Sequence, residues 1–154
     1  MNRKHLAAAV AAASLAMLSA EAQTPKPEDQ IKLRKAAYSL MGYTFGSMAA
    51  MAEGKRPYAK DEAARNAELL AHLATIPKGF FGEGSDKAGE TRARPEIWTK
   101  RADFDGKMDK MVQETAKLAQ VAKGGDQAAF KKAVADVDSA CSGCHEDYRV
   151  KRRG

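Results

Sequence analysis

Apolar side chains recur every three or four residues along most of this chain, and no segment shows the strict alternation that is typical of a strand. Four segments follow this helical spacing, at about 27–53, 61–76, 97–123 and 126–150. Short turns join them, except for a glycine-rich stretch between Pro77 and Pro95. Consecutive helices joined by short turns pack antiparallel, with their apolar faces turned to a common core. The sequence therefore predicts an all-α fold, an up-down-up-down four-helix bundle.

Residues that favour helix ends stand at the predicted boundaries. Pro27 opens the first segment, and Gly54 follows its end. Pro77 disfavours helix at the residue before it and ends the second segment. A Gly-Gly pair ending at Gly125 follows the third segment, and Asp126 is a good N-cap for the fourth. The boundaries and the apolar spacing thus agree on four helices.

The fourth segment carries Cys141, Ser142, Gly143, Cys144 and His145, which read C-x-x-C-H near the C-terminus. This pattern is the attachment signature of haem c, in which two thiols add to the haem vinyl groups as thioethers and the adjacent imidazole binds the iron. The two cysteines are the only ones in the chain. We therefore expect one haem c per chain, bound covalently through Cys141 and Cys144, with His145 as the metal ligand.

Two other uses of a C-x-x-C pair are alternatives on the sequence alone. A redox-active pair begins a helix after a strand, and no β-rich segment precedes this motif. A structural zinc ion requires about four ligands, and the other histidines of the chain are His5 and His72. Both uses fit the surrounding sequence less well than haem attachment does.

The N-terminus has the pattern of a secretory signal peptide. Residues 1–5 are basic, residues 6–18 form an alanine-rich apolar run, and the small-x-small sequence Ala20-Glu21-Ala22 precedes Gln23. A membrane-spanning helix requires about 20 apolar residues, so cleavage is favoured over the alternative, an uncleaved anchor. We expect residues 1–22 to be removed, residues 23–154 to form the bundle domain, and the protein to reside in the periplasm without a membrane anchor.

The charge of the chain narrows the possible partners. Its net charge is +6 at pH 7, and the positive excess is spread along the sequence, which argues against a nucleic-acid-binding surface. One concentration lies in the tail, at Arg149, Lys151, Arg152 and Arg153. These cations can complement the negative end of a helix dipole, a role that requires no partner, or they can attract an acidic partner.

Four stretches of the chain resemble the cytochrome c′ family, the class II cytochromes c. They are Lys26-Pro-Glu-Asp29, Arg34-Lys-x-x-Tyr38, Arg94-Pro-Glu-Ile-Trp98 and Cys141-Ser-Gly-Cys-His-Glu-Asp-Tyr-Arg149. The motif's place near the C-terminus separates this class from small cytochromes c, which carry it near the N-terminus. The resemblance implies a four-helix bundle with covalent haem c, a five-coordinate high-spin iron with His145 as proximal ligand, binding of nitric oxide (NO) and carbon monoxide (CO), and a periplasmic homodimer.

The resemblance also implies contacts around the haem. Arg34 is expected near a haem propionate and Lys35 beside the porphyrin edge, while Arg94 and Glu96 match family positions near that edge. Independently, an arginine on an apolar face is costly to bury unless its charge is paired, and a propionate is the available anion. The alternatives are that Arg34 extends to the end of the bundle, and that Arg94 and Glu96 form a surface ion pair.

Tyr38 and Phe81 match the family's distal positions, on the haem face opposite His145. Related low-spin class II cytochromes place an iron-binding methionine where this chain has Tyr38, one helical turn after Arg34. A phenol, with a pKa of about 10, stays protonated and is a poor ligand, so we expect the sixth position to be covered but not filled. Core packing is the alternative for both aromatic residues, and Met41 on the same helix face is an alternative iron ligand.

Arg149 follows His145 by four residues, so the two share one helix face. We expect its guanidinium to border the proximal side of the haem, the alternative being that it complements the helix C-terminus.

Two functions are compatible with these expectations. One is a gas-binding haem protein capable of electron transfer, and the other is a dedicated one-electron carrier with a low-spin His/Met haem and an unidentified redox partner. An enzyme is not expected, because no histidine stands at a distal position.

Overall fold

The computed structural model describes residues 24–151, and five α-helices account for most of them. The helices are α1 Pro27–Ala52, α2 Lys60–Ala74, α3 Glu96–Thr99, α4 Arg101–Gly124 and α5 Gln127–Tyr148, with a 3₁₀ turn, Pro77–Phe80, after α2. The predicted signal peptide, residues 1–22, and the end of the basic tail, residues 152–154, lie outside the described residues. Within 24–151, no helix combines the length and the apolar character needed to cross a membrane.

The four long helices form an antiparallel bundle, which confirms the predicted arrangement. α1 packs on α2, α2 on α4 and α4 on α5, while the contact that closes the ring, between α5 and α1, is the sparsest of the four. Apolar residues at the helical spacing fill the core, among them Phe104, Phe130, Met48, Leu70, Met108 and Leu118, all fully buried. Burial of each such side chain contributes about 1.5–3 kcal/mol to folding.

The starts of α1 and α5 lie where local chemistry predicts, whereas α2 and α5 end two residues before their predicted ends, at Ala74 and Tyr148. Pro27 lies in the first turn of α1, and Asp126 caps α5, its carboxylate accepting from the backbone N–H groups of Ala128 and Ala129 at 2.8 and 3.0 Å. Gly125 has a φ of +82°, the left-handed conformation that favours glycine after a helix. The tight turn between α4 and α5 is therefore set by two adjacent residues.

The third predicted segment differs from the structure, because it is two helices, α3 and α4, and not one. Lys100 has φ −117° and ψ +45°, outside the helical region, although its N–H still donates to the Glu96 carbonyl oxygen at 2.8 Å. Ile97 and the two residues after it are β-branched or aromatic and have low helix propensity. On either side of the break, Ile97 and Phe104 both enter the core, where they are 2% and 1% exposed.

The glycine-rich stretch between α2 and α3 is largely irregular, as predicted, but side chains of the bundle fix it in place. Gln30 of α1, itself buried, accepts from the Gly82 N–H at 2.8 Å and donates to the Pro25 carbonyl oxygen at 2.8 Å. A Cβ at Gly82 would lie 2.9 Å from the Gln30 amide oxygen, so this close approach favours glycine. The Gly82 carbonyl oxygen accepts from the Trp98 indole N–H at 3.1 Å. The loop thus reaches the end of the bundle in a defined position.

Candidate haem-binding site

Cys141, Cys144 and His145 lie in the last two turns of α5, and all three side chains are half-buried. Cys141 and Cys144 are not joined to each other in a disulfide. Burial raises the pKa of the Cys141 thiol to about 11, and burial also raises the pKa of Cys144. Thiols that stay protonated at neutral pH are weak redox nucleophiles. Within residues 24–151, no group of three or more His, Cys, Asp or Glu side chains is arranged to hold a metal ion.

The chemistry of these donors fits a covalent haem c. The two thiols stand three residues apart, close to one helical turn, so both lie on the same side of α5. Burial, with the nearby charges of Arg149 and Arg92, lowers the pKa of His145, which keeps the ring neutral at pH 7. Two neighbouring thiols for the vinyl groups and a neutral imidazole for the iron are what the cofactor requires.

Tyr38 of α1 lies across from the two thiols. Its side chain packs on the core, and its hydroxyl donates to the Met108 sulfur of α4 at 3.5 Å. Burial raises the pKa of the phenol, and the nearby Cys144 and Cys141 raise it further. Tyr38 is therefore protonated at neutral pH, with its hydroxyl directed to α4. Met41, the alternative ligand indicated by the sequence, is buried in the same core cluster.

Phe81 directly follows the 3₁₀ turn and belongs to a buried aromatic cluster. Its ring meets Phe104 edge-on with centroids 4.8 Å apart, and it is tilted against Trp98 at 6.1 Å. Phe104 in turn meets Tyr148 edge-on at 5.3 Å. These pairs connect the loop to the last turn of α5 and determine where Phe81 lies. Core packing accounts for its burial, and contact with the distal side of a haem stays a prediction.

Arg34 lies on the apolar face of α1 and is 2% exposed. Its guanidinium donates four hydrogen bonds, all to neutral oxygens: the carbonyls of Phe80 and Ser85 at 3.0 and 2.7 Å, and the hydroxyls of Ser85 and Thr91 at 2.9 Å each. It also lies over the Phe81 ring, 4.7 Å from the centroid. Arg34 therefore holds the loop that follows the 3₁₀ turn. Contact with a haem propionate stays a prediction.

The other residues assigned to the haem edge by resemblance lie at or near the protein surface. Lys35 is exposed on α1, and Glu96 is exposed in the first turn of α3. Arg94 does not pair with Glu96; its guanidinium donates to the Asp147 carbonyl oxygen at 3.2 Å, and its backbone N–H donates to the Tyr148 carbonyl oxygen at 3.0 Å. Arg94 thus fastens the loop to α5, while roles beside the haem stay predictions for all three residues.

Arg149 and His145 face each other on α5, with Nη1 of the guanidinium 3.4 Å from Nε2 of the ring. Both line an open groove of about 380 Å³, together with Arg92, Ser142, Glu146 and Lys151. Arg92 was not predicted for this site. It arrives there because Ala93 and Arg149 form an antiparallel β-bridge between segments far apart in the chain. No local sequence pattern marks such a pairing.

Comparison with known proteins identifies relatives of this chain. Residues 29–149 match the family described as Cytochrome C′. Cytochrome c′ from Rubrivivax gelatinosus is 40% identical over 129 residues, which cover 84% of this chain and the whole of that protein. The crystal structure of that protein superposes with a TM-score of 0.80, at 39% identity over 83% of this chain and all of the other.

Cytochrome c′ from Alcaligenes xylosoxidans has been solved with small gases bound. A nitric oxide complex of one variant has a TM-score of 0.77 and is 35% identical, covering 84% of this chain and all of that one. A carbon monoxide-bound variant has a TM-score of 0.77 and 36% identity, with the same coverage. Similarity of this extent, together with the C-x-x-C-H motif on α5, establishes both family and cofactor. This chain belongs to the cytochrome c′ family and carries one haem c, bound covalently through Cys141 and Cys144.

Proposed function

We propose that this chain is a periplasmic haem protein that binds the diatomic gases NO and CO at a five-coordinate high-spin iron and is capable of electron transfer. The bound haem c supplies an iron centre that takes up such gases and exchanges single electrons. The observation that carries the proposal is Tyr38, a protonated phenol across from the two thiols. A phenol that keeps its proton binds iron poorly, so Tyr38 covers the distal side without closing it. The signal-peptide pattern of residues 1–22 supports the periplasmic location.

The chain's own residues take separate roles in this proposal. His145 is the proximal ligand, because it directly follows Cys144 in the C-x-x-C-H motif. Arg149, 3.4 Å from that ring, influences how the imidazole is oriented. Tyr38 and Phe81 exclude water and bulky ligands from the distal side. Four further residues border the haem edge in this proposal: Arg34, Lys35, Arg94 and Glu96.

The relatives support gas binding as the main activity. Variants of the Alcaligenes xylosoxidans protein have been solved with NO and with CO, and this chain shares their fold. Cytochrome c′ relatives are haem proteins that bind gases and are not typical enzymes. We infer that the chain has no catalytic activity of its own.

A dedicated one-electron carrier with a low-spin His/Met haem is the second candidate. The observation that favours it is a thioether in contact with Tyr38, since the Met108 sulfur accepts from the Tyr38 hydroxyl at 3.5 Å; Met41 is buried in the core cluster on which Tyr38 packs. A methionine can bind iron only if its sulfur takes the place that Tyr38 covers. The hydrogen bond from Tyr38 to Met108 engages that sulfur and opposes such a change.

The optical spectrum of the ferrous protein, with and without CO, tests the two functions. We expect the broad bands of a high-spin haem, converted by CO to those of the adduct, because no second strong ligand competes with the gas. Met41→Leu and Met108→Leu serve as controls and are expected to leave this spectrum unchanged. A sharp low-spin α band that is lost in either methionine variant would establish the carrier instead.

We also propose that the protein forms a homodimer through exposed apolar side chains of α1 and α2. Leu33, Leu40 and Tyr43 succeed one another at helical spacing on α1 and are 41%, 55% and 85% exposed. Leu69 on the neighbouring α2 is 50% exposed, and Ile76, two residues after the end of that helix, is 44% exposed. Exposed apolar clusters on adjacent elements are typical of protein contact surfaces. A second copy of the chain would bury both rows of side chains.

Leu40→Glu is expected to weaken the dimer at least about tenfold, because a carboxylate on an apolar contact surface must be desolvated without a partner. Sedimentation velocity over a range of concentrations measures the change. Ala116→Glu, which places the same charge on an exposed position of α4, is the matched control and should leave the dimer intact. Equal dissociation constants for the two variants would show that this surface is not the interface.

A further inference from the structure

Two basic segments that are distant in sequence meet beside the end of α5. Ala93 and Arg149 form an antiparallel β-bridge, and backbone hydrogen bonds of 3.0 and 2.8 Å flank it. The pairing places residues 92–94 against residues 148–150. It thereby brings together four cations, a set we call the basic surface: Arg92, Arg94, Arg149 and Lys151.

One carboxylate, that of Glu146, lines the groove between these cations, and a single negative charge does not balance the set. Within residues 24–151, none of its four cations forms an ion pair; Arg92 and Arg94 donate instead to the carbonyl oxygens of Val150 and Asp147, at 2.6 and 3.2 Å. The Asp147 carboxylate is engaged by Lys107 at 2.9 Å. The C-terminus of α5 offers about half a negative charge, which balances only a small part of four positive ones. Complementing the helix end therefore does not account for the whole cluster.

A second groove provides the contrast within the same molecule. It has a volume of about 650 Å³, lies between α4 and α5 beside Cys144, and is also rich in lysine. Each of its four lysines is in an ion pair, and three carboxylates serve them because Glu114 pairs with two lysines. The pairs are Lys107–Asp147 at 2.9 Å, Lys110–Glu114 at 2.6 Å, Lys117–Glu114 at 3.0 Å and Lys132–Asp136 at 2.7 Å. Of the two grooves, only the one at the basic surface presents cations without carboxylate partners.

The basic surface also adjoins the residues that hold the cofactor. The groove of about 380 Å³ between its cations is lined by Ser142 and His145 of the C-x-x-C-H motif. Guanidinium groups bind carboxylates by paired hydrogen bonds, and a concave groove admits protruding side chains more readily than a flat lipid surface. Protein carboxylates seated in this groove would bring a redox centre close to the haem attachment site.

We propose that the basic surface, Arg92, Arg94, Arg149 and Lys151 beside His145, is the docking surface for an acidic redox partner protein. The inference rests on the proposed function, since exchange of an electron needs the haem. One electron passes from the ferrous protein to the oxidised partner, whose redox centre is reduced; no bond or proton changes. Electrostatic attraction raises the encounter rate and is screened by salt.

Charged small oxidants test where the electron leaves the ferrous holoprotein. Arg92→Gln/Lys151→Gln removes two charges from the basic surface, and Lys60→Gln/Lys131→Gln removes two exposed charges from the opposite end of the bundle. In stopped-flow experiments at low salt, ferricyanide should oxidise the first variant about fivefold more slowly than the wild type, and the control with little change. The cationic tris(phenanthroline)cobalt(III) complex should show the opposite shift. Equal slowing of both variants by ferricyanide would overturn the proposal.

Binding of a carboxylate probe provides a readout that does not depend on electron transfer. A twenty-residue polyglutamate peptide should bind the wild-type holoprotein in calorimetric titration, and the single variant Lys151→Gln, whose side chain makes no ion pair within residues 24–151, should bind it several-fold more weakly. Absence of peptide binding, or tighter binding to phosphatidylglycerol vesicles, would overturn the proposal. Failure of the five-coordinate assignment would appear in the ferrous spectrum and would leave these binding results unaffected.

Discussion

Carbon monoxide is expected to bind the ferrous Tyr38→Ala protein about a hundredfold faster than the wild type, if the phenol leaves the distal side open in about one molecule in a hundred. The ring is held by core packing and by its hydrogen bond to the Met108 sulfur at 3.5 Å. A gas can bind only in molecules in which Tyr38 has moved aside. The observed rate of CO binding is therefore the rate for the open form multiplied by the fraction of molecules that are open. Alanine removes the ring and therefore the delay. Stopped-flow mixing with CO measures the rate.

Tyr38→Phe is the matched control for this prediction. This variant keeps the aromatic ring but loses the hydroxyl that donates a hydrogen bond to the Met108 sulfur. The ring then moves aside more often, although it still covers the distal side. We expect a rise of only a few-fold, because a hydrogen bond of this kind contributes about 1 kcal/mol or less. If the alanine variant bound CO no faster than the wild type, Tyr38 would be a core residue and not a cover of the distal side.

Arg34→Met is expected to lower the free energy of unfolding by about 2–4 kcal/mol. Methionine can occupy a buried position on α1, but it leaves the carbonyl oxygens of Phe80 and Ser85 without the donors they now have at 3.0 and 2.7 Å. The loop that carries Phe81 then loses its main attachment to α1. Urea unfolding of the holoprotein, followed by circular dichroism, measures the change.

Lys35→Met provides the control for Arg34→Met, because it removes the adjacent positive charge from an exposed position of the same helix. Its effect is expected to stay within about 0.5 kcal/mol. A loss below about 1 kcal/mol in the Arg34 variant would contradict the inference that the guanidinium holds the loop. In that case pairing with a haem propionate would be the remaining reason for a buried arginine.

Local features of the sequence were sufficient to predict the helices. Helical spacing, Pro27 at the start of α1, Asp126 as the cap of α5 and glycine in the turn before it are all properties of a few consecutive residues. The break between α3 and α4 at Lys100 was not predicted, because the apolar spacing continues through it. The low helix propensity of residues 97–99 is the one local feature that indicates it. The spacing of apolar residues shows which face of a helix is buried, but it does not reveal a single residue with non-helical backbone angles.

The partners of Arg34 show why contacts of the site were less predictable than its residues. Its position on an apolar face indicates that the buried guanidinium needs hydrogen-bond partners. The partners are neutral oxygens of Phe80, Ser85 and Thr91, in a loop whose course no local pattern specifies. Several neutral acceptors can satisfy the N–H donors of a guanidinium without an anion, and sequence does not distinguish the two arrangements.

The sequence by itself determined the covalent haem site, since Cys141, Cys144 and His145 depend on one helical turn of α5; the distal position of Tyr38 stays a prediction from the family resemblance. Only the tertiary structure decided that Tyr38 donates to Met108 and that Arg92 lies beside His145. The physical reason is the sequence separation of the residues in contact. Contacts within one helix follow from helix geometry, whereas contacts between helices and loops depend on how the whole chain packs.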